Sequence, residues 1–179
     1  MKAPEQIETA RLVLRRPNPA DAESIYARYA SDPEVTRYLS WRRHASINDT
    51  REFLDFSAAE WERWPAGPYL IESRGEPKLL GSTGLAFETN TVAATGYVLA
   101  RDAWGCGYAT EALSAMVVLA GNLQVQRLCA SCHPANSASI RVLEKCGFRL
   151  EVRLQESNAF PNLGAGPRQD CLRYVHRAS

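Results

Sequence analysis

Apolar residues recur along this chain at two spacings, and the switches between them mark the elements. Leu12 and Leu14 stand at period two within residues 11–16, which predicts a first strand. Pro17-Asn18-Pro19 breaks it, and Ile25 and Tyr29 then share one face of a helix over 21–29. A loop is expected around Ser31-Asp32-Pro33. Residues 46–64 predict a longer helix with Phe53, Leu54, Trp61 and Trp64 on its buried side, stopped by Pro65. Three short strand runs follow: Pro68–Ser73, Leu79–Phe87 and 91–100, the last carrying Tyr97, Val98 and Leu99. Asn90 suits the turn between the last two, so the three predict an antiparallel meander.

The rhythm then lengthens. Ala109, Ala112, Leu113, Met116, Val117 and Ala120 fall at the spacing of a core-facing helix, with Gly121-Asn122 as its stop signal. Residues 125–132 predict a strand, and 136–146 a helix ended by Gly147. Phe148, Leu150, Val152 and Leu154 alternate with Arg149, Glu151, Arg153 and Gln155, which predicts a half-buried strand. A loop rich in Gly, Pro and Asn spans 158–167, and residues 169–176 close the chain as a strand. The sum is an α+β fold in one domain over residues 1–179. It has about four helices and a mixed, mostly antiparallel seven-stranded sheet. Its central strand–helix–strand crossover makes two of those strands parallel.

Composition narrows the function. The chain has 179 residues, 45% of them apolar, and its 21 Lys and Arg nearly balance its 20 Asp and Glu. That balance argues against a general nucleic-acid surface. No apolar run reaches the length that spans a bilayer, and residues 1–9 lack an apolar signal core, so a cytoplasmic protein is expected. Five scattered cysteines fit reduced, mostly buried thiols. Cys129-x-x-Cys132 resembles half of a zinc or redox motif. It lacks a second pair, and strand residues three apart point to opposite faces, so no metal is expected.

The most informative stretch is Trp104-Gly105-Cys106-Gly107-Tyr108-Ala109-Thr110, which follows a strand and opens a helix. The first helical N–H groups have no internal partner and sit at the positive end of the helix dipole. An anion there receives several hydrogen bonds at once. Gly105 and Gly107 lack the Cβ atoms that would hold a diphosphate away. The other reading is a plain glycine turn. The spacing matches neither the dinucleotide fingerprint nor the Walker loop.

Here the chain resembles the GNAT superfamily of N-acetyltransferases. That family places Gln or Arg, then x-x-Gly-x-Gly or Ala, between its fourth strand and third helix, and holds the coenzyme A diphosphate on the backbone N–H groups. The matching residues are Trp104 to Ala109, with Trp104 where the family usually has Gln or Arg. The segment from Asn136-Ser137-Ala138-Ser139 to Gly147-Phe148 is similar to the family's next helix. The opening Glu8-Thr9-Ala10-Arg11-Leu12, Tyr38-Leu39, and Tyr108-Ala109-Thr110-Glu111 resemble the RimJ/RimL-like subgroup, which acetylates the N-termini of ribosomal proteins. The resemblance covers about residues 9–174.

It implies direct transfer of acetyl from acetyl-CoA to a primary amine, with no metal, by a monomer or homodimer. It also implies that the strand around Val98, Leu99 and Ala100 pairs its backbone with the pantetheine arm, and that one of its N–H groups binds the developing oxyanion. Val98 and Leu99 read equally as buried strand. Asn136 is a good N-cap, and the resemblance makes it a pantetheine ligand as well. Ser139 is either a helix-surface hydroxyl or, by resemblance, the acid that protonates the sulfur. Leu143 stands where many relatives carry a tyrosine. Glu88, at the end of its strand, is the candidate general base, or else a solvated turn residue. His133 is a second loop candidate, and Glu111 suits the helix N-terminus.

A free α-amino group has a pKa of about 7.7–8.0 against about 10.4 for lysine, so a site without an obvious base favours a protein N-terminus as acceptor. Two other functions stay open. One is acetylation of a small-molecule amine, with Trp41, Trp61, Trp64 and Tyr69 as pocket or core. The other is an acyl-CoA-binding module without turnover.

Overall fold

The computed structural model describes residues 2–164 and 168–177. Eight strands among them form one sheet: β1 (Gln6–Glu8), β2 (Leu12–Arg15), β3 (Pro68–Ser73), β4 (Leu79–Phe87), β5 (Val92–Leu99), β6 (Arg127–Cys132), β7 (Arg149–Asn158) and β8 (Gln169–Arg177). Their order is β1-β2-β3-β4-β5-β6-β8-β7. Every neighbouring pair is antiparallel except β5 and β6. The expected meander is β3-β4-β5, and the expected crossover joins β5 to β6.

The helices are α1 (Ala22–Ile25), α2 (Pro33–Thr36), α3 (Ile47–Arg63), α4 (Tyr108–Asn122) and α5 (Ser137–Lys145). Local chemistry sets their ends. Ser46 caps α3 in a reciprocal box with Asp49, and Asn136 caps α5 by accepting from Ser139 N–H. α1 runs into a π-turn over Tyr26–Ala30. α4 continues through Gly121 and Asn122 and stops where Gln124 turns left-handed at φ 60°.

Two cores sandwich the sheet. On one face Leu70, Leu79, Val98 and Ala100 meet Ile25, Tyr29, Val35 and Leu54 from the N-terminal helices. On the other, Leu12, Leu14, Ala93, Leu99 and Leu128 meet Leu113, Met116 and Leu143 from α4 and α5. Trp61 and Tyr69 are core residues, edge to face at 5.0 Å, and Trp64 stacks on Phe87 at 5.7 Å.

Three expectations need correction. The sheet has eight strands, because Gln6–Glu8 pairs with β2; three residues with one apolar member carry no periodic signal. The loop near Asp32 contains α2, since Asp32 accepts from Glu34 and Val35 N–H and Pro33 supplies the first helical residue. β7 is not half-buried. It is the sheet edge, with a register shift between Leu150 and Val152, and these two are 54% and 37% exposed. In the expected loop over 158–167, Asn158 ends β7, and residues 165–167 lie outside the described residues.

Candidate active site

The glycine loop adopts the conformation that its residues permit. Gly105 and Gly107 have φ of 73° and 80°, and Gly107 is the N-cap of α4. A Cβ at Gly105 would meet nothing within 4 Å, and one at Gly107 would meet only Arg11 Nη2 at 3.3 Å. The first α4 donor with a carbonyl partner is Glu111 N–H, to Gly107 O at 3.1 Å. The N–H groups of Tyr108, Ala109 and Thr110 have no hydrogen-bond partner among the described residues. An exposed turn of orphan donors at a helix N-terminus has the shape and sign to hold a diphosphate.

The turn between β1 and β2 braces this cup. Arg11 Nη1 donates to Cys106 O at 2.9 Å, and its guanidinium lies 4.7 Å from the Tyr108 ring centre. Glu111 accepts from Thr9 Oγ1 at 2.6 Å, Arg11 N–H at 2.8 Å and Arg11 Nε at 2.7 Å. Burial alone would raise the Glu111 carboxyl. The hydrogen bonds from Thr9 and Arg11 outweigh it and hold the group below its ordinary value. Arg11 therefore puts a cation beside the cup, a contribution that the sequence pattern missed; its adjacency to Glu111 spans a hundred residues and leaves no local signal. Trp104 carries no charge. Its Nε1 donates to Leu99 O at 2.9 Å and ties the loop to the end of β5.

β5 and β6 pair only from Val92 to Ala94 and then part. Antiparallel strands point alternate residues' backbone groups at alternate neighbours. Glu88 N–H donates to Val92 O, and Ala100 N–H to Leu80 O, so even-numbered residues of this strand face β4. Thr95, Tyr97 and Leu99 therefore turn their backbone groups toward the gap. Of the predicted trio, Leu99 lines the slot, while Val98 and Ala100 spend their backbone on β4 and their side chains on the N-terminal core. Parity, set by the strand pairing, also brings in Thr95 and Tyr97, which the sequence reading left out.

α5 covers the slot from the α4 side. The Asn136 amide uses its oxygen on Ser139 N–H at 3.2 Å, which leaves its NH2 free to donate to a ligand. Ser139 is half-buried in the first turn of α5. Cys146 Sγ sits 3.5 Å from Thr110 O and joins α5 to the cup.

Glu88 is not brought to this slot. It is exposed in the β4–β5 turn, level with Val92 and about 10 Å along β5 from Thr95 at ~3.3 Å per residue. His133 has both ring nitrogens engaged, Nδ1 with Ala135 N–H at 3.0 Å and Nε2 with Gln169 Oε1 at 2.8 Å. It stacks on Tyr38 at 5.1 Å and meets Phe160 edge-on at 4.8 Å. Asn162 locks the loop beside this trio, donating to Thr36 O and Trp41 O at 2.7 and 2.9 Å and accepting from Arg43 N–H at 2.9 Å. Burial pushes the Cys132 thiol up to about 11, so it is protonated near neutral pH.

The family profile of the acetyltransferase (GNAT) domain matches residues 11–149. The chain is a GNAT acetyltransferase. Relatives include YkkB of Bacillus subtilis (strain 168), an uncharacterized protein 30% identical over 88% of this chain and 93% of its own length. The uncharacterized N-acetyltransferase YoaA of the same organism is 32% identical over 84% of this chain and 86% of its own. A GNAT-family acetyltransferase from Bacillus anthracis has the same fold, at TM-score 0.83 and 25% identity, covering 96% of this chain and 98% of that one. So does RimL, a ribosomal L7/L12 alpha-N-protein acetyltransferase solved with coenzyme A, at TM-score 0.84 and 20% identity, covering 97% and 98%. No helix among the described residues is long and apolar enough to cross a membrane.

Proposed function

We propose that this GNAT enzyme moves acetyl from acetyl-CoA directly to the α-amino group of a protein N-terminus. The observation that carries this reading is that Thr95, Tyr97 and Leu99 turn backbone groups away from β4 where β5 parts from β6, on the strand that leads to the orphan N–H groups of Tyr108–Thr110. Acetyl-CoA supplies the thioester. The cup and Arg11 hold its diphosphate, and the amide of Asn136 meets its pantetheine. The slot-facing N–H groups of β5 orient the thioester and receive the negative charge that develops on its carbonyl oxygen. Ser139 gives a proton to the sulfur.

The acceptor class follows from proton bookkeeping. His133 has both nitrogens in use, and Glu88 stands in a distant turn. An amine that is already largely neutral near pH 7–8 suits such a site, and α-amino groups meet that condition about a hundredfold or more better than lysine. The likeness to RimL, named for α-N acetylation of a ribosomal protein, supports the same acceptor. The aromatic trio of Tyr38, His133 and Phe160 then faces the first residue of the acceptor.

The test is thiol release from acetyl-CoA with a panel of amines: peptides with free N-termini, the same peptides N-blocked but carrying lysine, polyamines and aminoglycosides. Turnover confined to free N-termini is expected, with the acetyl group located there by mass. Faster turnover on a polyamine or an aminoglycoside would replace the protein acceptor with a small molecule.

A further inference from the structure

The two loops that meet at Asn162 carry a charge bias that the chain as a whole lacks. Residues 37–46 and 159–168 contain Arg37, Arg42, Arg43 and Arg168 and no Asp or Glu, in a chain with 21 Lys and Arg against 20 Asp and Glu. These arginines are exposed, and among the described residues none of them takes part in an ion pair. The neighbouring aspartates are already engaged. Asp32 pairs with Arg101 and accepts from Glu34 and Val35 N–H, Asp49 accepts from Ala45 and Ser46 N–H, and Asp170 pairs with Arg153. Glu34 and Glu52 are exposed on the adjoining helices, outside both loops.

Arg37 is the best placed of the four. Thr36, just before it, is fully buried. Asn162 Nδ2 donates to both Thr36 O and Trp41 O, at 2.7 and 2.9 Å, and so brackets residues 37–40. The Arg37 guanidinium carbon lies over the Tyr38 ring, 5.2 Å from its centre, and Tyr38 stacks on His133 at 5.1 Å. The cation therefore stands at most about 10 Å from the His133 ring, the span of about three extended residues at ~3.3 Å each. A guanidinium resting on an aromatic ring keeps its N–H donors for a carboxylate and has less freedom to lose on binding one.

We propose that Arg37 selects the acceptor by pairing with an acidic side chain at residue 2, 3 or 4 of its N-terminal segment. The inference rests on the protein N-terminus as acceptor and names the class of N-terminus taken. With residue 1 against Tyr38, His133 and Phe160, the next few residues of an extended chain come within reach of the guanidinium. Arg42, Arg43 and Arg168 add to the attraction that draws an acidic segment to the mouth. Arg37 touches no reacting atom; it sets which acceptor is held.

The test uses peptides that share their first residue and differ only in carrying Glu, Gln or Lys at residue 2, 3 or 4, alongside free amino acids, polyamines and aminoglycosides. Wild type, Arg37→Gln and Arg37→Glu are compared by thiol release, after melting midpoints show that each is folded. For wild type, kcat/KM should favour Glu over Gln about two- to fivefold and Glu over Lys about tenfold, the scale of one exposed ion pair gained or reversed. Arg37→Gln should shrink the preference to about twofold or less, and Arg37→Glu should turn it toward Lys. The change should lie in the KM for the acceptor, with the KM for acetyl-CoA within about twofold of wild type. Salt at about 1 M, where the Debye length is about 3 Å, should erase most of the wild-type preference.

Equal kcat/KM for the Glu, Gln and Lys peptides in wild type overturns the inference and leaves the N-terminal acceptor standing. A Glu preference that survives in Arg37→Glu also overturns it, because another cation would then carry the selection. Turnover of polyamines, aminoglycosides or free amino acids with none of any peptide overturns the N-terminal acceptor and this inference together.

Discussion

Replacing Gly107 tests the cup most directly. Its φ of 80° is left-handed, which costs a residue with a Cβ about 1–2 kcal/mol. The new Cβ meets only the end of the Arg11 side chain, at 3.3 Å, so the backbone can still fold. At roughly 2–4 °C per kcal/mol for a chain of this size, Gly107→Ala should melt about 2–8 °C lower and remain folded. Gly107→Glu adds a carboxylate facing the orphan donors. Two unit charges about 4 Å apart at an effective dielectric of about 20 repel by about 4 kcal/mol, roughly a thousandfold in affinity. Part of that is offset because the new carboxylate can pair with Arg11. Titration calorimetry with coenzyme A should show a loss of about a hundred- to a thousandfold for Gly107→Glu. For Gly107→Ala, which displaces at most one bond, the loss should be about tenfold. A folded Gly107→Glu chain that binds coenzyme A as wild type does would place the diphosphate elsewhere and remove the basis of the functional reading.

Other outcomes follow from the same contacts. Because the Glu111 carboxyl is held below its ordinary value, it adds stability above about pH 4.3 that fades as pH falls through the lower folded value. Glu111→Gln should therefore melt about 2–4 °C lower at pH 7, a modest effect since its partner Arg11 is half exposed. The gap to wild type should narrow as pH falls below the ordinary carboxylate range in melts across pH; one that persists in strong acid would mean the contribution is not ionic. Asn162→Ala removes three hydrogen bonds from the loop over Tyr38. The KM for the acceptor should rise about tenfold while that for acetyl-CoA stays put, and steady-state kinetics with each substrate varied would expose an error.

Much of this was legible before folding. The limits of β3 and β4, the capping residues Ser46 and Asn136, and the glycine pair before α4 are local matters. Each depends on side chains within a few residues of one another, so spacing and backbone preference suffice. Pairing decided the rest. Whether Val98 or Leu99 faces the gap beside β5 depends on which strand takes the other backbone edge, and periodicity alone does not carry that parity. Leu150 and Val152 keep a buried rhythm yet lie exposed on an edge strand. Arg11 at Glu111 and His133 between Tyr38 and Phe160 join residues far apart in the chain. The sequence by itself determined most of the elements and the glycine loop before α4, because these arise from short-range backbone chemistry. Only the tertiary structure decided which side chains share the slot, because that depends on how the sheet orders its strands and where β5 leaves β6.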